Sequence, residues 1–161
     1  MRRNIAKILV GLSAVVMLLV VSGAADAQRR EARGRLLTKA QVKEIVKRVE
    51  NRVDNFVKNF DRSLDHSKLN GSSKEDWLNR RAKDLEKATD ELRREFDRRD
   101  AWVENKDEVR KCLNIASDID RNMRSYKFGR VAEENWARVR FELNTLADVY
   151  NLPRVAASAY N

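Results

Sequence analysis

A single histidine and a single cysteine in 161 residues leave this chain almost without the side chains that bind metals or act as nucleophiles. Structural zinc needs clustered Cys and His. The di-metal sites common in helical bundles need Glu-x-x-His pairs, but Ser63 stands three residues before His66. A c-type haem needs C-x-x-C-H, and one cysteine cannot supply it. Nor is there a G-x-S-x-G elbow, a P-loop or a dinucleotide-binding glycine pattern. The expectation is therefore no enzyme: no catalytic residue, no metal ligand and no cofactor. Cys112 falls beside an apolar helical stripe and reads as a small buried hydrophobe. His66 reads as a polar residue at a helix C-terminus, where its charged form suits the dipole.

Helix breakers are equally scarce. Pro153 is the only proline, and there are five glycines. Apolar residues recur in steps of three and four, the period of an amphipathic helix. The first series is Val42, Ile45, Val46, Val49, Val53, Phe56, Val57, Phe60 and Leu64. Asn70-Gly71-Ser72-Ser73 breaks the pattern, with Ser72 and Glu75 placed for a capping box. The second series is Leu78, Ala82, Leu85, Thr89, Leu92 and Phe96. Asn105 with Glu108 is positioned to cap a third helix carrying Val109, Cys112, Leu113, Ala116, Ile119, Met123 and Tyr126, and Asp100 is an alternative, earlier start. Gly129 suits the left-handed position just past that helix. The fourth series is Ala132, Trp136, Val139, Leu143, Leu146 and Tyr150. Asn151-Leu152-Pro153 then supplies a C′ residue, a hydrophobic contact and a stop. The pattern predicts an all-α fold, an antiparallel up-down four-helix bundle with helices at about 39–66, 73–98, 105–127 and 131–150.

The ends are different in kind. Arg2, Arg3 and Lys7 precede an apolar run from Ile8 to Val21, and Ala25-Asp26-Ala27 follows. This is the layout of a secretory signal cleaved before Gln28. An uncleaved anchor is the alternative, since extending the run to Ala25 reaches the bottom of the spanning range. Both place the remainder outside the cytoplasmic membrane, periplasmic or secreted. The domain plan is a signal at 1–27, a basic flexible leader at 28–37, a helical domain at 38–152 and a flexible tail at 153–161.

Charge is unevenly spread. Of the net +9, residues 1–27 carry +2 (Arg2, Arg3 and Lys7 against Asp26). Residues 28–39 carry +4 (Arg29, Arg30, Arg33, Arg35 and Lys39 against Glu31), which leaves +3 for residues 40–161. A nucleic-acid binder concentrates basic residues on its folded part. Here the signs interleave, so no specific nucleic acid is expected. Arg29, Arg30, Arg33 and Arg35 are instead candidates for contact with an anionic membrane surface or another polyanion.

Some apolar residues fall off the main stripes. Val131, Phe141 and Val149 lie along a second line on the fourth helix, and Trp102 and Phe128 fall in or near joins. Together these five are the candidate surface for a protein partner, such as an unfolded or envelope protein, if they form one exposed patch.

Two resemblances bear on this reading. Leu37-Thr38-Lys39-Ala40-Gln41 resembles the L-T-x-x-Q motif of the Spy/CpxP group of periplasmic helical proteins. That group carries the motif twice and acts in stress-linked chaperoning or sensor inhibition; this chain has one copy. The stretches SLDHSKLNGSSKED, LEKATDELRREFDRR, IASDIDRNMR and LADVYNL are similar to a group of uncharacterised exported bacterial proteins. That similarity implies one compact helical domain and lends no activity. The L-T-x-x-Q residues also make a helix start: Thr38 as N-cap, Gln41 reaching back, and Leu37 stapled to Val42. The function expected is binding in the cell envelope, chaperone-like or stress-related, or alternatively contact with anionic lipid through the leader.

Overall fold

The structure, a computed structural model, describes residues 37–155. The expected signal at 1–27, residues 28–36 of the expected leader with Arg29, Arg30, Arg33 and Arg35, and residues 156–161 lie outside the described residues. Four helices account for most of the rest: α1 (Lys39–Asp65), α2 (Ser73–Arg98), α3 (Lys106–Ser125) and α4 (Arg130–Val149). One 3-10 turn, Trp102–Asn105, precedes α3, and there is no strand among the described residues. α1 packs on both α2 and α4, and α3 on α2 and α4, so each helix has two neighbours. No helix among the described residues is long and apolar enough to cross a membrane.

The helix starts show how far local chemistry specifies this fold. At α1 the capping box is complete. Gln41 N–H donates to Thr38 Oγ1 (3.3 Å), and Thr38 N–H donates to Gln41 Oε1 (2.9 Å). Leu37 packs against the core cluster that contains Val42. At α2 the box is displaced by one residue. Ser72 Oγ accepts from Glu75 N–H (3.2 Å), but Glu75 Oε2 accepts from Gly71 N–H (2.5 Å) instead of the cap residue. Ser72 N–H is already given to Leu69 carbonyl, which leaves Gly71, at φ +75°, as the free donor.

At α3 the expected Asn105–Glu108 box does not form. Asn105 is fully buried and its side chain is turned back onto the 3-10 turn, donating to Trp102 carbonyl (3.2 Å). Glu108 is held by Arg99 instead, through two hydrogen bonds of 3.0 and 2.7 Å. A bidentate guanidinium–carboxylate pair is stronger than a neutral cap, and it pins the end of α2 to the start of α3.

Gly129 also differs from its expected role. α3 ends earlier, in an extended Tyr126, and Gly129 (φ 85°, ψ 156°) is the residue from which α4 begins. That backbone region is essentially confined to glycine. No atom lies within 4 Å of where a Cβ would stand, so the obstacle to a side chain is conformational, not steric. Gly129→Ala should therefore cost about 1–3 kcal/mol, measured as a lower urea midpoint with unchanged slope. A loss below about 0.5 kcal/mol would mean the chain relaxes there freely.

The C-terminus of α4 closes as a Schellman motif. Asn151 is left-handed (φ 49°), Leu152 N–H reaches Ala147 carbonyl (2.8 Å) and Asn151 N–H reaches Asp148 carbonyl (3.3 Å). Beyond it the expected loose tail is corrected for residues 153–155. Val155 is 0% exposed, and Arg154 forks onto both oxygens of Asp148. Asn151 ends the helix and Pro153 follows it, yet the chain turns back to add one more residue to the core.

Every core residue among those described lies between Val42 and Val155. An aromatic layer joins α1 to α4 at one end. Phe56 and Phe60 stack at 4.5 Å, Trp136 meets Phe56 at 5.1 Å, and Phe128 meets Phe60 at 5.4 Å. At the other end Trp102 meets the edge of Tyr150 at 5.3 Å, and the Tyr150 hydroxyl donates to Trp102 carbonyl (2.8 Å).

Candidate functional site

The five off-stripe apolar residues do not form a patch. Phe128 is only 5% exposed, because the segment between α3 and α4 folds it onto Phe60. Trp102 is half-buried against Tyr150, at the opposite end of α4 from Phe128. Val149 is half-buried and packs on the core. Only Val131 and Phe141 remain out, Phe141 at 69% exposure. They are ten residues apart on one helix, about 15 Å at 1.5 Å per residue. Singly exposed apolar side chains of this kind are ordinary.

Three polar groupings went unread in the sequence. The first is the buried Asp120 of α3, 1% exposed. Its Oδ1 accepts from Trp136 Nε1 (3.0 Å) and Arg140 Nη1 (3.1 Å), both on α4. Arg124 Nη1 lies 3.1 Å from Oδ2, one helical turn away on α3, but not in hydrogen-bonding alignment. The signal was available: Asp120 stands four after Ala116 and one after Ile119, on the edge of the apolar stripe. The adjoining cavity, bordered also by Met123 and Glu133, is about 50 Å3. That is far below the size of an ordinary ligand site, so this cluster reads as the polar clasp of the α3–α4 seam. The buried Glu142 of α4 plays a similar part toward α1, accepting from Arg48 Nε (3.1 Å).

The second grouping lies between α1 and α2. Arg93 Nη1 stands 2.7 Å from Asp97, and its Nε 3.6 Å from Glu50. Burial raises the carboxyls of Glu50 and Asp54 above their ordinary values. Arg93 opposes the rise at Glu50, and Asp90 adds to it at Asp54. No group of three or more His, Cys, Asp or Glu among the described residues is placed to hold a metal ion. Cys112 is buried in α3, and burial pushes its thiol up to about 12, with Lys111 opposing the rise. A thiol so far from ionisation is a poor nucleophile at neutral pH.

The third is a groove of about 460 Å3 along α2, lined by Trp77, Arg80, Arg81, Lys83, Asp84 and Lys87, with Asp118 of α3. Arg81 bridges Asp84 on its own helix and Asp118 across the seam, which holds the Asp118 carboxyl below its ordinary value. Asp118 is further paired with Arg121. The remaining cations, Arg80, Lys83 and Lys87, have no ion-pair or hydrogen-bond partner among the described residues and are exposed. Lys74 Nζ sits 5.0 Å from the Trp77 ring centroid at the same end. Summing charge over the whole domain concealed this ridge, because acidic residues on other faces cancel it. Arranging residues 74–87 by helical face brings Arg80, Lys83 and Lys87 together with Asp84, and only the packing of α3 shows that Arg81 engages the carboxylates.

Compared with protein-family models, curated proteins and solved structures, the chain matches none.

Proposed function

We propose that this is an exported, non-catalytic helical-bundle protein of the cell envelope that works by contact with an anionic surface. The observation that carries the reading is the exposed ridge Arg80, Lys83 and Lys87, cations with no carboxylate partner among the described residues. The sequence adds Arg29, Arg30, Arg33 and Arg35 immediately after a signal-like segment. Several such cations near an anionic bilayer each contribute about 1 kcal/mol of attraction.

The scaffold for this contact is an up-down-up-down antiparallel bundle. Paired residues run in opposite senses along neighbouring helices, which supports that order. Between α1 and α2 the pairs are Lys43–Asp97, Glu50–Arg93 and Asp61–Asn79. Between α2 and α3 they are Arg81–Asp118 and Glu91–Lys111. Between α1 and α4 they are Arg48–Glu142 and Phe56–Trp136.

The test uses the chain from Gln28, which keeps every described core residue. It should sediment with anionic vesicles at low salt, and much less in 0.5 M salt, where screening shortens to a few ångströms. Binding that is indifferent to salt, or equal on neutral vesicles, sinks the reading. A second reading, a chaperone-like protein, draws on Phe141 alone, which stands out from α4. It calls for suppression of client aggregation that Phe141→Ser abolishes; suppression indifferent to that change counts against it.

A further inference from the structure

The ridge along α2 differs from the paired faces of the bundle. Elsewhere charges three or four residues apart are commonly of opposite sign and paired: Glu44 with Lys47, Glu95 with Arg98, Asp107 with Arg110 and Asp118 with Arg121. Arg80, Lys83 and Lys87 are separated by three and four residues and all carry the same sign. Like charges at this spacing are mildly destabilising to a helix. They span about 10 Å along the helix axis. The two acidic residues of the groove are already engaged by Arg81, so they do not neutralise the ridge. The lining thus carries four cations against two carboxylates. At the Lys74 end stands Trp77, half-buried, with its indole packed against the core. An aromatic ring beside lysine and arginine is the side-chain pattern of a membrane–water interface.

We propose that this groove is where the folded domain receives the phosphate of an anionic phospholipid headgroup. Arg80 supplies a fork that matches phosphate oxygens, and Lys83 and Lys87 supply point charges beside it. A volume of about 460 Å3 falls in the range of small-molecule sites, wide enough for a headgroup and open to a bilayer. The inference rests on the anionic-surface reading and deepens it, since it assigns the contact to the domain and not to the leader alone.

Sedimentation with phosphatidylglycerol vesicles tests it, using the chain from Gln28. The triple variant Arg80→Gln/Lys83→Gln/Lys87→Gln should bind on the order of 100-fold more weakly at low salt, each cation contributing on the order of fivefold. Its thermal midpoint should be unchanged or slightly higher, because all three side chains are exposed and their mutual repulsion is relieved. The control variant Arg52→Gln/Lys58→Gln/Arg62→Gln removes equal charge from exposed positions on α1 and should lose less than about threefold. Equal losses in the two variants would reduce the effect to net charge and overturn the groove. If the triple variant binds as the parent does while deletion of residues 28–35 abolishes binding, the groove inference falls and the anionic-surface reading stands on the leader arginines alone. No vesicle binding by the parent chain sinks both. Inorganic phosphate and glycerol phosphate are the soluble arms: saturable binding of either at micromolar concentration, without vesicle binding, assigns the groove to a soluble phosphate and overturns the lipid.

Discussion

Phe56→Ala should lower the unfolding free energy by about 3–5 kcal/mol. The ring is fully buried in α1, stacked on Phe60 at 4.5 Å and tilted against Trp136 of α4 at 5.1 Å. Its removal forfeits the transfer energy of a phenyl group and leaves a cavity that two other aromatics can only partly fill. Aromatic pairing adds about 0.5–1.5 kcal/mol beyond buried area. A domain of this size is stable by about 5–15 kcal/mol, so the variant should retain little margin. Urea denaturation measures it: the midpoint falls and the slope stays the same. Phe141→Ala is the internal comparison. The same residue type, 69% exposed on α4, should change stability by no more than about 0.5 kcal/mol. Losses of similar size at the two positions would mean the aromatic layer is not the core it is described as.

Asp120→Ala should cost about 3 kcal/mol, at the lower end of the range for breaking a buried ion pair. The carboxylate is 1% exposed and accepts from Trp136 Nε1 and Arg140 Nη1 across the α3–α4 seam. Alanine leaves the buried indole N–H without its acceptor and strands a guanidinium. The lower end applies because Arg140 and Arg124 reach partly to solvent. Asp120→Asn keeps an oxygen for the same two donors and should lose only about 1–2 kcal/mol. A double-mutant cycle of Asp120→Ala with Arg140→Ala should give a coupling of about 1–3 kcal/mol. Additive effects in that cycle, or equal losses for Ala and Asn, would remove the ion pair from the account. The seam makes the effect large, since α3 and α4 share the sparsest packing of the four neighbouring pairs, and a polar clasp carries proportionately more there.

Much of this was legible along the chain. The stripes of α1, α2, α3 and α4 named most of the buried residues, though not Ile115, Asp120, Glu142 or Ala147, because a helix repeats every 3.6 residues and its core face is a local property. Thr38 with Gln41, and Asn151-Leu152-Pro153, closed their helix ends as read, because both partners lie within a few residues of each other. The failures at Glu108, Phe128 and Val155 share one cause. Glu108 was lost as a capping residue to Arg99, nine residues earlier, just past the end of α2. Phe128 was lost as a surface residue to Phe60 of α1, and Val155 was drawn into the core by a turn past Pro153. In each case a contact between separated segments outweighed the local preference.

Sequence alone therefore determined the helices, most of their ends and the residues that face inward, since each depends on neighbours within one or two turns. Only the tertiary structure decided which charges are consumed in pairs and which are left facing solvent. Arg81 and Arg80 are adjacent and chemically alike, yet one is locked to Asp118 of α3 and the other stands free of any partner among the described residues. That difference is set by where α3 lies against α2. It depends on distances across the bundle, and no pattern along the chain encodes those directly.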